Sequence, residues 1–415
     1  MKQRTAVGHA ILSTLGLIGL SGCLAKEVED PCNASPTFER YALEAEAAAR
    51  QPYEEEVPVP CSLLDRPPDG NKAAEGIVFE EYADLTSGSA GNFVDADSWW
   101  VKALPRGELH LQTLEIYDAQ CAPVSYEQFR FNYAATTPAI DPVPACGHSL
   151  SAIEIGHSFF QSAPQLFQLE ASAYARLVGL QLNPAFGTSL RFTTEDAAHA
   201  GEKFPALTKI AVTRPTPKGL SFVARLRANT FEGVMLAQLA PAAATELRVK
   251  LRLYPRVGAD RDVRVGVLGM SSMFWKGASD TPDVPDDEAH DTDHLYVRMA
   301  DGEEKRVTLH NPSPSDVATD DPWWRAQYTG ALETVALEQI QRDPTRYLAY
   351  RSASYASRPS MSASRIESSV PITAELSIEN TNSEYIDNLV LNLIAETNGG
   401  SEPVDVSYVL TASSL

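Results

Sequence analysis

Two carboxylates could do chemistry as a pair. Asp291 sits between His290 and Thr292, just after a run thick with other acids from Asp280 to Glu288, whose charges tend to raise its pKa. Asp387, in Ser383-Glu384-Tyr385-Ile386-Asp387-Asn388-Leu389-Val390, stands at the mouth of an apolar strand, where burial favours the protonated form. Inverting glycoside hydrolysis needs one protonated carboxyl to donate to the leaving oxygen and one ionised carboxyl to activate water. An Asp at a strand start is also an ordinary turn residue, so the residues alone leave the pair open. Ahead of the acidic run, the apolar Val267-Leu268 leads through Met270-Ser271-Ser272-Met273 into Phe274-Trp275. Aromatics beside carboxylates suit a sugar cleft; Phe274 and Trp275 are either stacking platforms or core.

Other chemistries find less support. The acidic loop could offer oxygen ligands to calcium, but it lacks the D-x-[DN]-x-[DN]-G framework and reads as a solvated connector. His290 and His294 stand at His-x-x-x-His spacing, but no His-Glu-x-x-His motif occurs and His157 and His310 add no second paired spacing, so no metal and no cofactor is expected. There is no G-x-S-x-G elbow and no phosphate-cradling glycine motif, which sets serine-hydrolase and nucleotide chemistry low.

The chain has 415 residues, 44% hydrophobic and 21% charged, enough to bury a sizeable core. Its formal net charge of -21 excludes nucleic acid as a partner and argues against flat adsorption to anionic lipid. Met1-Lys2-Gln3-Arg4, an apolar run from Ala10 to Leu20, and Leu20-Ser21-Gly22-Cys23 resemble a bacterial lipoprotein signal, with Cys23 as the acylated residue. Leu24 follows it where an Asp would signal inner-membrane retention, so the expected location is the periplasm, anchored to the outer membrane. Cys32, Cys61, Cys121 and Cys146 remain, consistent with two disulfides; the sequential pairing closes the shortest loops.

The expected division is a signal segment over 1–23, a tether over 24–36 and one domain over 37–415. A helix is predicted over Phe38 to Arg50, with Thr37 as its N-cap and Pro52 as its stop. Tyr53 to Asn71, rich in Pro and Glu, reads as extended surface chain. Strand texture covers Leu109 to Tyr117, Leu207 to Val212, Leu220 to Leu226, Phe231 to Leu239, Leu247 to Leu253 and Val263 to Leu268. It resumes over Leu295 to Met299, Arg306 to His310, Ile372 to Ile378, Leu389 to Leu393 and Val404 to Leu410. Glu333 to Arg342 reads as a late helix through Val335, Leu337 and Ile340. Many short strands and few helices predict an all-β fold, a large antiparallel β-sandwich.

A series of segments, in order along the chain, resembles the periplasmic osmoregulated-glucan biosynthesis proteins of the G and D family. They include Ala49-Arg50-Gln51-Pro52-Tyr53-Glu54, Phe79-Glu80-Glu81-Tyr82-Ala83-Asp84 with Ser98-Trp99-Trp100, and Ala171-Ser172-Ala173-Tyr174-Ala175-Arg176. Gly201-Glu202-Lys203-Phe204-Pro205, Met270 to Phe274, Glu288 to Leu295, Gln341-Arg342-Asp343, Arg358-Pro359-Ser360 and Glu375 through Val390 follow. The resemblance implies a galactose-mutarotase-like supersandwich and a role in making or trimming periplasmic β-1,2-linked glucan. It also implies inverting endo-β-1,2-glucanase chemistry with Asp387 as general acid and Asp291 as general base. His290 and Arg342, in matched segments, join Phe274 and Trp275 as candidate sugar contacts. Departures are His294 in place of the family's glycine and Ser364-Arg365-Ile366-Glu367-Ser368-Ser369 in place of Trp-Gly-Lys-Gly. These favour, as an alternative, a glucan-binding accessory lipoprotein without catalysis. The family's smaller C-terminal immunoglobulin-like domain is not expected in this chain, and a homodimer is an admissible assembly.

Overall fold

The computed structural model describes residues 33–53, 86–87, 92–105, 113–126, 131–132, 149–157, 165–170, 174–177, 188–191, 194–195, 205–240, 245–257, 262–272, 294–309, 327–338, 360–380, 387–398 and 402–413. Among these residues, two sheets of eleven strands dominate. One, the helix-bearing sheet, runs from Glu304–Thr308 at one edge to Pro123–Val124 at the other. The facing sheet runs from Gln327–Gly330 to Asn92–Ala96. Pairing is antiparallel throughout except where Ala206–Val212 runs parallel to Glu115–Tyr117.

Alternation builds the core. On Ile372–Asn380, Ile372, Ala374 and Leu376 point into the sandwich, and Leu391, Leu393 and Ala395 do so from Asp387–Asn398. Leu247, Val249, Leu251 and Leu253 of Thr245–Pro255 meet them from the helix-bearing sheet, with Val406, Tyr408 and Leu410 of Val404–Ser413. A bulge at Gly266/Leu268 takes Val267 out of the ladder with Asp387–Asn398, and the buried Tyr408 hydroxyl donates to the Val267 carbonyl at 3.0 Å. One hydrogen bond thus ties the sheets together through the dry core.

The helix Ala34–Ala49 covers the outer face of its sheet. Phe38, Tyr41, Ala42, Ala45 and Ala49 pack on Ala211, Val223, Val234 and Tyr254. Strand Phe231–Ala240 is therefore buried on both sides, with Met235, Ala237 and Leu239 inward and Val234 beneath the helix. An ion cluster fixes the helix from below. Buried Glu232 is gripped by Arg225 and Arg256. Arg256 also donates from Nε to the Ala228 carbonyl at 2.8 Å and from Nη1 to the Ala48 and Gln51 carbonyls at 3.2 and 3.1 Å. A guanidinium thereby satisfies carbonyls at the helix C-terminus, where unpaired acceptors collect.

Most expected strands fall where sequence alternation puts them, and the antiparallel sandwich is the observed architecture. Two elements differ. The predicted late helix over Glu333 to Arg342 is a strand, Leu332–Glu338, bonded between His294–Met299 and Ser360–Ser368. Its apolar residues Leu332, Val335, Ala336 and Leu337 are buried, and pairing on both sides outweighs a helical spacing only a few residues long. The helix begins four residues earlier than expected, with Asn33 as its N-cap; Thr37 is fully buried in the first turn and its backbone donates to the Asn33 carbonyl at 3.0 Å. The 1–23 signal segment, the Asp280 to Glu288 loop, most of Tyr53 to Asn71, and Cys32, Cys61 and Cys146 lie outside the described residues. Cys121 is disulfide-bonded, and its Sγ lies 3.9 Å from the Arg40 guanidinium of the helix.

Candidate functional site

Strand Asp262–Ser272 is central to the facing sheet, and the chain leaves its C-terminal end towards Phe274 and Trp275. Its neighbour Asp387–Asn398 begins at that same end. Ser272 pairs with Leu389, two residues after Asp387, and Asp387 pairs with Asn380 across the next ladder. Ser272, two residues before Phe274, and Asp387 therefore stand at adjacent strand ends, although the two stretches are more than a hundred residues apart in sequence.

The second sheet has a comparable pair of strand ends. His294 opens strand His294–Met299 and pairs with Glu338, the last residue of Leu332–Glu338. Asp291 lies three residues before His294, and Arg342 four after Glu338. The sheets are aligned by the Tyr408–Val267 bond and, further along, by Leu253 and Val404 gathered with Val265 and Ala395 around one small apolar gap. That alignment points the Ser272 and Asp387 ends and the His294 and Glu338 ends towards one end of the sandwich. The side chains of Asp387, Asp291, His290, Phe274, Trp275 and Arg342, and Cys23 with them, lie outside what is described.

The facing sheet adds a polar patch that sequence reasoning did not single out. On the side turned from the core, Glu375 accepts hydrogen bonds at 2.7 Å from Arg264 Nη2 and from Gln327 Nε2. Asn392 pairs in register with Glu375 and is buried, and Thr373 and Thr329 join hydroxyls at 2.9 Å. Polar side chains buried on a sheet's non-core face are uncommon and informative. The sequence did carry a signal, since Thr373 and Glu375 alternate with inward-facing Ile372, Ala374 and Leu376, which puts both on the opposite face of the strand. The patch lies five residue steps from Asp387 along the ladder, about 17 Å at ordinary strand rise.

At the opposite region of the same sheet, His157 packs edge-on against fully buried Trp99, with ring centroids 4.8 Å apart and planes at 84°. Burial holds the imidazole below its usual pKa. His157 is thus a core histidine. Among the described residues no group of three or more His, Cys, Asp or Glu is placed to hold a metal ion, and no helix is long and apolar enough to cross a membrane.

The model of the periplasmic glucan biosynthesis protein family, MdoG, matches residues 37–414. The chain belongs to that family. A glucans biosynthesis protein G 2 from Shewanella oneidensis is 28% identical over 160 residues, which is 37% of this chain and 29% of that protein's length. Among solved structures, a galactose mutarotase related enzyme from Lactobacillus acidophilus is similar at TM-score 0.24 and 10% identity, over 64% of this chain and 95% of that one. A putative aldose 1-epimerase from Escherichia coli K12 is similar at TM-score 0.23 and 11% identity, over 49% and 68%. The MdoG match covers every strand discussed above and agrees with a glucan-related, periplasmic role.

Proposed function

We propose that this MdoG-family chain is an inverting hydrolase of periplasmic β-1,2-glucan. Asp387 protonates the glycosidic oxygen as the bond to the anomeric carbon breaks. Asp291 removes a proton from the attacking water, directly or through a short water relay, which requires the carboxyls to stand about 6.5–9.5 Å apart or somewhat more. Phe274 and Trp275 stack on sugar rings, and His290 and Arg342 bond to hydroxyls. The observation that carries this reading is the register pairing Ser272 with Leu389, which brings the Asp387 strand end beside the one leading to Phe274-Trp275. The proposal includes acylation at Cys23, outer-membrane anchoring, a tether over 24–36, a single domain over 37–415, and two disulfides.

A second reading, a glucan-binding accessory protein, is favoured by one observation. Strand Ser360–Ser368 has a bulge between Ser364 and Glu367, with Arg365 at a φ of 53°, and no aromatic where the resembling proteins have tryptophan. Incubating purified protein with linear β-1,2-glucan separates the readings. Hydrolysis should release shorter chains, and Asp387→Asn and Asp291→Asn should each slow it by about 10²–10⁴-fold while glucan binding persists. Cleavage undiminished in both variants removes the residue assignment, and binding without any product from the wild type leaves the accessory role.

A further inference from the structure

A cleft of about 620 Å³ opens at one end of the helix-bearing sheet, and none of its lining residues belongs to the facing sheet's polar patch. Arg214, Lys218 and Arg248 line it, and among the described residues no carboxylate does. Arg214 and Lys218 are exposed and have no ion pair among the described residues, whereas Arg248 shares Glu246 at 3.3 Å. Two unpaired cations beside a third are unexpected on a chain of net charge -21. The remaining walls mix polar Thr213, Ser221 and Gln238 with apolar Leu220, Leu239 and Ala240.

The wall carrying Lys218 is rigid. Thr216 and Gly219 exchange backbone hydrogen bonds at 3.0 and 3.1 Å, and the Trp99 indole donates to the Thr216 carbonyl at 3.0 Å. A Cβ at Gly219 would lie 2.6 Å from the Leu239 carbonyl oxygen, so the turn can seat this closely only with glycine. The start of the helix, Asn33 and Ala34, completes the rim. Asn33 makes no side-chain cap and the first turn holds no acid, so the helix end adds positive potential to the side chains.

Position along the chain selects the occupant. Asn33 lies ten residues after Cys23, so an acyl anchor there holds the cleft within about 35 Å of the lipid surface. We propose that the cleft docks the phosphodiester headgroups of anionic phospholipids, turning this end of the sandwich towards the membrane; the inference rests on the Cys23 anchor reading. The chain's overall negative charge opposes adsorption of every other face. Screening over about 8 Å at physiological salt lets the local cations decide which face approaches. The same end carries the strand ends of the candidate site, so docking would present that site to polymer lying along the membrane.

The test uses the full chain carrying Cys23→Ser, so that no acyl chain contributes. It should cosediment with vesicles of phosphatidylglycerol and phosphatidylcholine, and not with phosphatidylcholine alone. Each of Arg214→Gln, Lys218→Gln and Arg248→Gln should weaken binding about fivefold at low salt, with an unchanged melting temperature as the folding control. Equal binding to neutral vesicles, or full binding by the triple variant, overturns the proposal. Binding of inorganic phosphate without binding of vesicles also overturns it, making the cleft a soluble-anion site. Mass spectrometry of the unsubstituted protein tests acylation separately: an unmodified Cys23 with vesicle binding intact sinks the anchor and leaves the headgroup site standing.

Discussion

Single residues in this protein do their work through what surrounds them. His157 is held neutral by burial against Trp99, and its lowered folded pKa fixes a sign. The unfolded chain, with an ordinary histidine, binds the proton more readily, so stability is intact above about pH 6.5 and falls as pH drops towards the lowered value. The wild-type melting temperature should therefore decline more steeply below pH 6.5 than that of His157→Asn, measured by circular dichroism across that range. Equal slopes would show that His157 contributes nothing to the decline. Glu375 is the other residue to alter. Glu375→Gln removes the charge facing Arg264, whose other carboxylate among the described residues is Glu396 at 3.7 Å, and should cost about 1–3 kcal/mol in chemical denaturation. If the patch contacts glucan, the same substitution should also weaken sugar binding.

Among the elements, the helix Ala34–Ala49 shows how burial and charge combine. Its apolar face was legible in the sequence as Tyr41, Ala42, Ala45, Ala48 and Ala49, and of these all but the half-buried Ala48 are buried. Its fastening was not legible there, because Arg225, Glu232 and Arg256 meet only when two hairpins and the helix are assembled. Burial pushes the Glu232 carboxyl up while the two guanidiniums pull it down, so the group depends on both partners. Glu232→Leu should cost about 3–5 kcal/mol, because two guanidiniums lose their buried counter-charge. Limited proteolysis should then cut at the helix sooner than in the wild type. The Leu332–Glu338 segment marks the converse failure of local reading. A short stretch with apolar residues at helical spacing fits either element, and only the two neighbouring strands decide it.

At the scale of the molecule, the sandwich is held by one continuous core and by the Tyr408 hydroxyl on Val267. Tyr408→Phe should cost about 1–3 kcal/mol in thermal denaturation, since it leaves a buried carbonyl without that donor. Antiparallel pairing through the centre also sets the Ser272 and Asp387 strand ends side by side in one sheet and pairs the His294 and Glu338 ends in the other.

The sequence by itself determined the fold class, because strand alternation and turn residues are local and period-two burial is visible in one dimension. It also carried the family through collinear segments, and the two carboxylates proposed as acid and base were chosen from those segments. Tertiary structure alone decided the rest: the strand at Leu332–Glu338, the ion cluster beneath the helix, the Glu375 patch and the basic cleft. Each depends on residues of different elements whose contact follows from register and sheet order, which a linear pattern does not encode.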